Sequence, residues 1–465
     1  MVRPVHRGLV ALAGTAMMIA LAACGADSST DDAGASDEPD LNAEVTITVS
    51  DLPPTEQAES RQAMLDKIAD FEAAHPTITI DAQETKWAAE TFNAMLAGGT
   101  LPIVTAVPFT EIQALASRGQ ATDLTDAVAD SAAISALSPT VMESVTRDGR
   151  IYGVPYQAYT MGLVYNRGLF EEAGLDPDDP PQTWDDVRAA AKTITEQTGQ
   201  PGFISMTASN TGGWVLSTMS YAFGGQMQEV SGDDVLASFA APRTATTEAL
   251  ELLRAMRWED ESMGANFLLD IDDARNEFAA GRAGMFVHGA DVYGDMVVNR
   301  GLPGEHYGVA PLPQSPDGIG TLGGGAIDIV SPNATPEQVA AAIKWIEYHR
   351  LGRLSDEEQA VTWAESRAAD DLPVGTPELP IVDAAQYETY LGWIDSYINV
   401  PRDNYELYLS TVEDIPLVPE PPVKAQELYA ALDPVVQAVL TREDADLAEL
   451  LDQAERNVND FIAAG

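Results

Sequence analysis

The sequence predicts an α/β protein whose folded part is divided into two lobes. About 420 residues follow an N-terminal leader and an acidic tether, which is more than one hydrophobic core usually holds. Residues 44–50, EVTITVS, alternate apolar and polar side chains, a helical pattern comes next, and residues 75–81 begin a second strand. A strand, a helix and a strand in this order favour a mainly parallel sheet covered by helices.

The remaining strands follow from short apolar runs bounded by turn residues. The first helix is indicated by apolar residues at helical spacing, which are Met64, Leu65, Ile68 and Phe71. The further predicted strands cover residues 101–108, 151–155, 162–166, 284–289, 307–313 and 323–331.

Four further helical regions follow along the chain. A helix over residues 111–118 follows the third strand, and TWDDV begins another at Thr183 with a capping box. Thr335 and Pro336 supply a cap and a first-turn proline for the next helix. The last sixth of the chain is mostly helical, with an apolar stripe formed by Leu447, Leu450, Leu451, Ala454, Val458 and Phe461.

The N-terminus has the features of a bacterial lipoprotein signal. A basic start precedes an apolar run over residues 8–23, and the run ends in LAAC. We expect a signal peptide over residues 1–23 and lipidation of Cys24, the one cysteine in the chain, which excludes an intramolecular disulfide. A plain signal peptide with an unrelated cysteine is the alternative, and a retained membrane helix is a weaker one.

The next segment and the overall charge are typical of an exported protein. Residues 24–43 are small, acidic and unpatterned, so we expect a disordered tether. The chain has 73 acidic and 25 basic residues, a net charge of −48. That charge excludes nucleic acid as a partner, because phosphate contacts need clustered Lys and Arg. It also disfavours an anionic ligand, unless a local basic pocket overrides it.

No catalytic, cofactor or metal motif assembles from the sequence. The five histidines are scattered without metal-ligand spacing, and there is no phosphate-binding loop or nucleophile elbow. The glycine-rich GTLGGGA precedes a strand, which is the wrong context for a phosphate cradle. Pairs of carboxylates carry no specificity in so acidic a chain. We therefore predict no catalytic residues, no metal and no cofactor.

Aromatic side chains among polar residues are the one distinctive pattern. SNTGGW, residues 209–214, ends a polar glycine-containing loop on Trp214, with Asn210 and Thr211 as hydrogen-bonding groups. The glycines Gly212 and Gly213 would let a ligand approach the backbone. An aromatic face beside amides, hydroxyls and carboxylates suits a sugar. The other aromatic residues in such settings are Tyr159, Tyr293, Trp363, Trp393 and Tyr405.

Several motifs together resemble a known family. They are MLAGGTLPIV (95–104), DGRIYGVPYQAYTMGLVYNRGLFEEAGL (148–175), PPQTWDDV (180–187), FAAGRAGMFVHGADVY (278–293), YGVAPLP (307–313) and KWIEYH (344–349). In this order they resemble the extracellular solute-binding proteins of ABC importers, in the carbohydrate-binding group that includes maltose-binding protein. One departure is Pro102-Ile103, where such proteins usually carry Pro-Asp, which puts only local packing in doubt.

The resemblance implies a two-lobed periplasmic-binding-protein fold of type II, with the ligand in a cleft between lobes joined by hinge crossings. By this resemblance, residues 44–156 and 286–339 form the first lobe, and residues 157–285 and 340–465 form the second. The implied mechanism is closure of the hinge on the ligand, after which the closed form docks on a permease.

The resemblance also implies a set of ligand-binding residues. Trp214 would be a stacking platform, and Arg402 and Tyr405 would belong to a cleft-lining turn. Capping or solvated charge is the alternative for the acidic members, and a surface ion pair is the alternative for Arg402. The full set is Asp51, Thr110, Glu111, Tyr159, Asn210, Trp214, Asp291, Tyr293, Arg402 and Tyr405.

The expected function is a monomeric, lipid-anchored sugar-binding component of an ABC transporter on the outer face of the cytoplasmic membrane. Several aromatic residues favour an oligosaccharide, and the permease subunits are the expected protein partners. A glycerophosphodiester or a polyol on the same scaffold is the first alternative, with Arg402 as the candidate counter-charge. An exported glycosidase is the second.

Overall fold

The computed structural model describes residues 43–231, 234–240 and 245–464. The leader and Cys24 lie outside these residues. The described strands are β1 (Val45–Val49), β2 (Ile78–Ala82), β3 (Val104–Pro108), β4 (Thr146–Arg147), β5 (Arg150–Ile151), β6 (Val154–Asn166), β7 (Gln228–Ser231), β8 (Asp234–Ala237), β9 (Met285–Gly289), β10 (Tyr307–Pro311), β11 (Thr321–Val330) and β12 (Leu417–Val418).

Helices cover both ends of the main sheet. The described α-helices are α1 (Ala58–Ala74), α2 (Ala89–Ala97), α3 (Phe109–Ser117), α4 (Ala132–Ser135), α5 (Pro139–Val145), α6 (Arg167–Ala173), α7 (Trp184–Thr198), α8 (Thr211–Ala222), α9 (Ala245–Arg254), α10 (Ile271–Ala279), α11 (Pro336–Ile346), α12 (Gly352–Ser355), α13 (Glu357–Ala369), α14 (Ala384–Ile394), α15 (Glu406–Thr411), α16 (Ala425–Thr441) and α17 (Leu447–Ala464). Short π-helical turns cover Ala255–Glu259, Asp295–Asn299 and Glu347–Leu351, and 3-10 turns cover Ala290–Val292, Gly304–His306, Asp395–Tyr397, Arg402–Tyr405 and Val412–Asp414.

Two long strands connect the ends of the main sheet, whose order is β10-β6-β11-β3-β1-β2. The first half of β6 pairs with β11, and its second half pairs with β9 and β10. The second half of β11 pairs with β3, and its first residues pair with β12. β6 and β11 therefore pass from the first lobe, around β1–β3, to the second lobe, around β9 and β10.

The strand directions differ from the expected, mainly parallel sheet. β1 pairs in parallel with β2 and β3, and β11 with β12, while the pairings among β3, β6, β9, β10 and β11 are antiparallel. Residues 151–155 and 162–166, predicted as two strands, instead contribute to β5 and to the continuous 13-residue β6. The polar residues between them hid this continuity from a pattern based on apolar runs.

The helix predictions agree closely with the structure at their N-termini. Thr183 and Thr335 both cap through a complete capping box. On α1, Ile68 and Phe71 are buried. Two residues of the predicted apolar stripes face solvent instead, namely Leu65 on α1 and Phe461 on α17.

α11 and β9 make their contacts at opposite ends of the main sheet. α11 packs on the first lobe, where Gln338 Nε2 donates to the Thr46 carbonyl at 3.2 Å and Trp345 meets Phe71 edge-on at 5.2 Å. The segment before α14 also joins the first lobe, because the Ser138 amide donates to the Ile381 carbonyl at 2.8 Å. By contrast, β9 and β10 pair with the half of β6 that leads into α6. By these contacts, much of 286–320 lies on the β9–β10 side of the sheet and 340–394 on the β1–β3 side, and the bounds of the two lobes stay a prediction.

Candidate functional site

A cavity of about 380 Å³ lies where the crossing strand β6 meets α12, α13 and α14. Second-lobe Asp291 faces the same space as these first-lobe residues. Its wall is formed by Tyr156, Gln157, Ala158, Asp291, Arg353, Leu354, Trp363, Gly375, Thr376, Glu378, Leu379, Pro380, Ile381, Val382, Tyr387, Tyr390 and Leu391. Aromatic rings and hydrogen-bonding groups therefore share one concave surface, as in small-molecule sites generally.

The helical wall of this cavity is organised around Arg353. Its guanidinium lies 4.5 Å from the centre of the Trp363 ring and 5.7 Å from that of Tyr390. Its Nη2 also pairs with Glu378 Oε2 at 3.3 Å. Burial raises the pKa of the Tyr390 phenol to about 12, so this hydroxyl is protonated at neutral pH. The cation is thus already engaged within the protein, and it holds the aromatic rings in place.

A second arginine anchors the floor of the cavity. Arg350 Nε lies 2.8 Å from Asp328 Oδ2, and its Nη2 lies 3.1 Å from Oδ1 of the same carboxylate. The guanidinium also lies 3.8 Å from the centre of the Tyr156 ring and 3.5 Å from Asp51 Oδ2. Burial raises the pKa of Asp51, and Arg350 opposes that rise. Asp51 therefore belongs to the ion-pair network beneath the cavity and is absent from its lining.

Tyr159 and Asp291 lie together beside two glycines. The Tyr159 ring covers Gly324, where an added Cβ would come within 3.1 Å of the ring. At Gly289 an added Cβ would lie 2.7 Å from Asp291 Oδ1 and 3.9 Å from the Tyr159 ring. The surrounding protein raises the pKa of Asp291 even though the side chain is open to the cleft. The structure thus brings together two of the predicted ligand-binding residues.

Trp214 and Asn210 lie at the beginning of α8. The Trp214 indole is half-buried, meets His288 edge-on at 6.1 Å, and has its Nε1 buried without a hydrogen-bond partner. Burial lowers the pKa of His288 to about 3, so this ring is neutral. The Asn210 side chain donates to Gln426 Oε1 at 3.2 Å, and the backbone amide of Asn210 donates to Asp433 at 2.7 Å. Asn210 is therefore engaged with α16.

The predicted role of the glycines in SNTGGW differs from their position in the structure. Gly212 and Gly213 are buried in the first turn of α8 against α16. An added Cβ at Gly212 would lie 2.8 Å from Asp433 Oδ1, and one at Gly213 would overlap the Tyr429 carbonyl. Their lack of side chains serves close helix packing rather than approach of a ligand.

Two predicted aromatic contacts are core residues. Tyr293 is 2% exposed and packs edge-on against Tyr307 at 5.1 Å. Tyr405 is 1% exposed, and its hydroxyl donates to the Gly375 carbonyl at 2.7 Å. Both rings are packed within the protein in this structure, and their contact with a ligand stays a prediction.

Arg402 also lies behind the cavity wall. Its Nη1 donates to the same Gly375 carbonyl at 3.2 Å. It faces an adjoining concavity of about 580 Å³, which shares Pro380, Tyr387 and Leu391 with the first cavity. Arg402 and Tyr405 thus fix the turn at Gly375, whose φ of 87° favours glycine.

Thr110 and Glu111 occupy the first turn of α3, outside the lining of the 380 Å³ cavity. Burial raises the pKa of Glu111. The neighbouring Phe109 ring packs against Gly325 of β11, so both residues lie near a crossing strand. Their contact with a ligand stays a prediction.

Most residues of the helical wall were not predicted from the sequence as site residues. Trp363 is an aromatic residue in a polar sequence setting, but the predicted set of ligand-binding residues does not include it. Tyr387 and Tyr390 are three residues apart on α14, a spacing that puts both on one face and is equally typical of a core helix. Arg353 and Glu378 are 25 residues apart, and no local pattern joins them.

The rest of the described chain bears on two other kinds of site. No three or more His, Cys, Asp or Glu side chains within it are arranged to hold a metal ion. None of the described helices combines the length and apolarity needed to span a bilayer.

Comparison with known proteins decides the family. The profile of the bacterial extracellular solute-binding proteins matches residues 55–348. The chain belongs to this family. The predicted resemblance is therefore confirmed, and membership of a solute-binding family supports a binding protein rather than an enzyme.

Curated relatives of this solute-binding protein match over shorter stretches. A putative binding protein of Brucella abortus is 28% identical over 188 residues, which are 40% of this chain and 43% of that protein. The sn-glycerol-3-phosphate-binding protein UgpB of Agrobacterium fabrum is 30% identical over 36% of each chain. The diacetylchitobiose-binding protein DasA of Streptomyces coelicolor is 27% identical over 60% of this chain and 63% of that one. The match thus spans less than half of the first relatives.

Solved structures share the fold across nearly the whole chain. The cyclic α-maltosyl-1,6-maltose binding protein of Arthrobacter globiformis has a TM-score of 0.67 and 24% identity, with 91% of this chain and all of that one covered. Maltose-bound MalE3 of T. maritima has a TM-score of 0.61 and 21% identity, with 90% and 99% covered. These likenesses confirm the two-lobed α/β fold.

Proposed function

We propose that this solute-binding protein captures a carbohydrate, most simply an oligosaccharide, and delivers it to the permease of an ABC transporter. The observation that carries the proposal is the cavity wall, where the rings of Tyr156, Trp363 and Tyr390 lie beside acidic and hydroxyl groups. Sugar rings present apolar C–H faces to aromatic rings and hydroxyls to polar groups in the plane. The adjoining concavity gives room for more than one sugar unit.

Hinge closure is the proposed mechanism. β6 and β11 are the chain crossings, and Asp291 of the second lobe faces the helical wall of the first. A ligand that contacts both walls favours the closed arrangement by its extra contacts there. The proposal also includes export of the protein and docking on permease subunits. A lipid on Cys24 tethers the protein, as a monomer, to the outer face of the cytoplasmic membrane.

A glycerophosphodiester is the weaker candidate for this cavity, although one curated relative is a glycerol-3-phosphate-binding protein. An anionic phosphate needs a free cation or a set of aimed N–H groups. Arg353 is paired with Glu378, and Arg402 donates to a backbone carbonyl behind the wall. The excess of carboxylates around the cavity opposes an anion further.

A thermal-shift screen of neutral mono- and oligosaccharides tests the proposal, because a ligand that binds only the native state raises the unfolding temperature. We expect a shift with at least one oligosaccharide, and we expect Trp363→Ala to abolish it. Trp258→Phe is the control, since Trp258 donates to the Val439 carbonyl on α16 and does not line the cavity. A full panel without any shift would contradict the carbohydrate assignment, and a shift retained in Trp363→Ala would contradict the site.

A further inference from the structure

A third connection, besides β6 and β11, joins the two sides of the sheet close to the 380 Å³ cavity. After α14, residues 395–400 lead into the 3-10 turn Arg402–Tyr405. This turn lies on the β9–β10 side, because Asn404 Nδ2 donates to the Glu305 carbonyl at 3.1 Å and to the Tyr307 carbonyl at 3.0 Å. The chain therefore changes sides between α14 and this turn.

The part of the cavity wall nearest to this connection is the loop over residues 373–376. Gly375 and Thr376 line the cavity. The loop is attached to α13, whose Arg367 Nε donates to the Pro373 carbonyl at 3.0 Å. Since α13 packs on α12 and α14, these residues belong to the wall on the β1–β3 side.

Hydrogen bonds from the third connection fasten this loop to the opposite side of the cleft. The Tyr405 hydroxyl donates to the Gly375 carbonyl at 2.7 Å, and Arg402 Nη1 donates to the same oxygen at 3.2 Å. One residue earlier, the Val374 amide donates to Asn399 Oδ1 at 2.8 Å. The loop that faces the ligand is thus held at two successive residues by the segment that leads to β10.

These hydrogen bonds are protected from water. Val374, Gly375 and Tyr405 are all buried. A buried hydroxyl or amide that loses its acceptor is costly, so the loop and the turn either move as one piece or separate against that cost. A movement of one is therefore passed to the other.

We propose that Tyr405 is a positioning residue, which links ligand contact at Thr376 to the angle between the two sides of the cleft. The inference rests on the proposed hinge closure and names one of its couplings. A ligand that holds Thr376 acts through Gly375 on Tyr405, and from there through Asn404 on β10. A ligand favours closure only by contacts that differ between the two arrangements, and this connection lets a contact on one side bias the other.

Spin-label distances in the free protein test the connection without any ligand. The labels are attached at Glu196→Cys on α7 and Glu365→Cys on α13, two exposed positions on the two sides, in a chain that begins at residue 24 with Cys24→Ser. We expect Tyr405→Phe to broaden the distribution of distances, because the loop is then released from one of its two donors. The double variant of Tyr405→Phe with Arg402→Met removes both donors and should broaden the distribution further.

Calorimetric titration measures the consequence for binding. The probes are three neutral trisaccharides: maltotriose, cellotriose and the β-1,4-linked trimer of N-acetylglucosamine. We expect Tyr405→Phe to weaken the best of them by about 5- to 10-fold, although the hydroxyl itself is buried behind the wall. Addition of that trimer should also narrow the spin-label distribution less in Tyr405→Phe than in the wild type.

Tyr165→Phe is the matched control. The buried Tyr165 ring also donates its hydroxyl to a backbone carbonyl, that of Pro177 at 2.8 Å, and it does not line the cavity. Its loss should lower stability in urea as Tyr405→Phe does, but it should leave the distances and the affinity unchanged.

A Tyr405→Phe variant with the wild-type distance distribution overturns the inference, whatever its affinity. Equal losses of affinity in Tyr405→Phe and Tyr165→Phe overturn it too, because they would reflect stability alone. If no trimer binds and the whole neutral panel is blank, the proposed carbohydrate function fails, and the spin-label distances of the free protein still decide whether Tyr405 links the two sides.

Discussion

The two walls of the cleft satisfy their polar groups in opposite ways. On the first-lobe wall, Arg350 and Arg353 are paired with Asp328 and Glu378, and their guanidinium planes lie on aromatic rings. On the second-lobe wall, the Trp214 Nε1 is buried without a hydrogen-bond partner, and the Glu420 carboxylate lies beside the Tyr429 hydroxyl and forms no ion pair within the described residues. Polar groups that are paired within the protein fix the shape of a wall, whereas unpaired polar groups are available to hydrogen-bond with a ligand.

The largest expected effect comes from breaking the paired wall. Arg350→Met removes the partner of Asp328, which is 1% exposed, and leaves its carboxylate buried and uncompensated. Breaking a buried pair of this kind costs about 3–5 kcal/mol of unfolding free energy. Urea denaturation measures this loss of unfolding free energy. The double variant with Asp328→Leu should recover most of the loss, and a single-variant cost below about 1 kcal/mol would show that the pair does not support this wall.

The second-lobe wall should be most sensitive to its helix packing. Gly213→Ala places a Cβ against the Tyr429 carbonyl, so α8 and α16 must separate. Overpacking of this kind costs about 1–3 kcal/mol. Gly392→Ala is the control on α14, where an added Cβ meets nothing within 4 Å, and it should stabilise the protein by about 0.5–1 kcal/mol. If Gly213→Ala were as stable as the wild type in urea, the glycines would not be packing residues.

The contrast between the two walls also explains which features could be predicted from the sequence. The capping boxes at Thr183 and Thr335 and the strands of the first lobe follow from local rules, and the structure has them. β6 was divided in two because residues 156–160 are mostly polar or small. These residues interrupt the apolar pattern where the strand passes the cleft, as expected of a functional segment.

The sequence could not predict which distant segments contact one another. SNTGGW looked like a ligand loop because its residues are small and polar, but the atoms that explain Gly212 and Gly213 belong to α16, more than 200 residues later. Arg350 and Arg353 gave no local sign that they hold the floor and the helical wall of the cavity. The family resemblance supplied the two-lobed fold, and only the structure could show which polar groups are already paired.

A sharper test of the unpaired wall is Trp214→Phe. Its indole N–H is buried without an acceptor, so its removal should leave the free protein as stable as before, or more stable by up to about 1 kcal/mol. If a ligand accepts this N–H in the closed form, sugar affinity should fall by about 5- to 10-fold in the same variant. Urea denaturation and calorimetric titration measure the two effects. A loss of stability with unchanged affinity would make Trp214 a core residue alone.

The smallest expected effect concerns Glu420 and the pH dependence of the free protein. Burial raises the pKa of Glu420, and the neighbouring Tyr429 hydroxyl opposes the rise. Between the unfolded and the folded pKa, the native state binds more protons than the unfolded chain. Stability therefore falls as pH rises through this window, and the penalty is complete above the folded pKa.

Without ligand, Glu420→Gln should melt at a higher temperature than the wild type at pH 7. The difference should shrink as pH falls towards about 4, where the unfolded carboxyl is also protonated. Glu443→Gln controls for net charge and should show no such trend. A Glu420→Gln variant that melts lower at pH 7 would mean that the carboxylate is already satisfied within the protein, and the distinction between the two walls would not hold at this position.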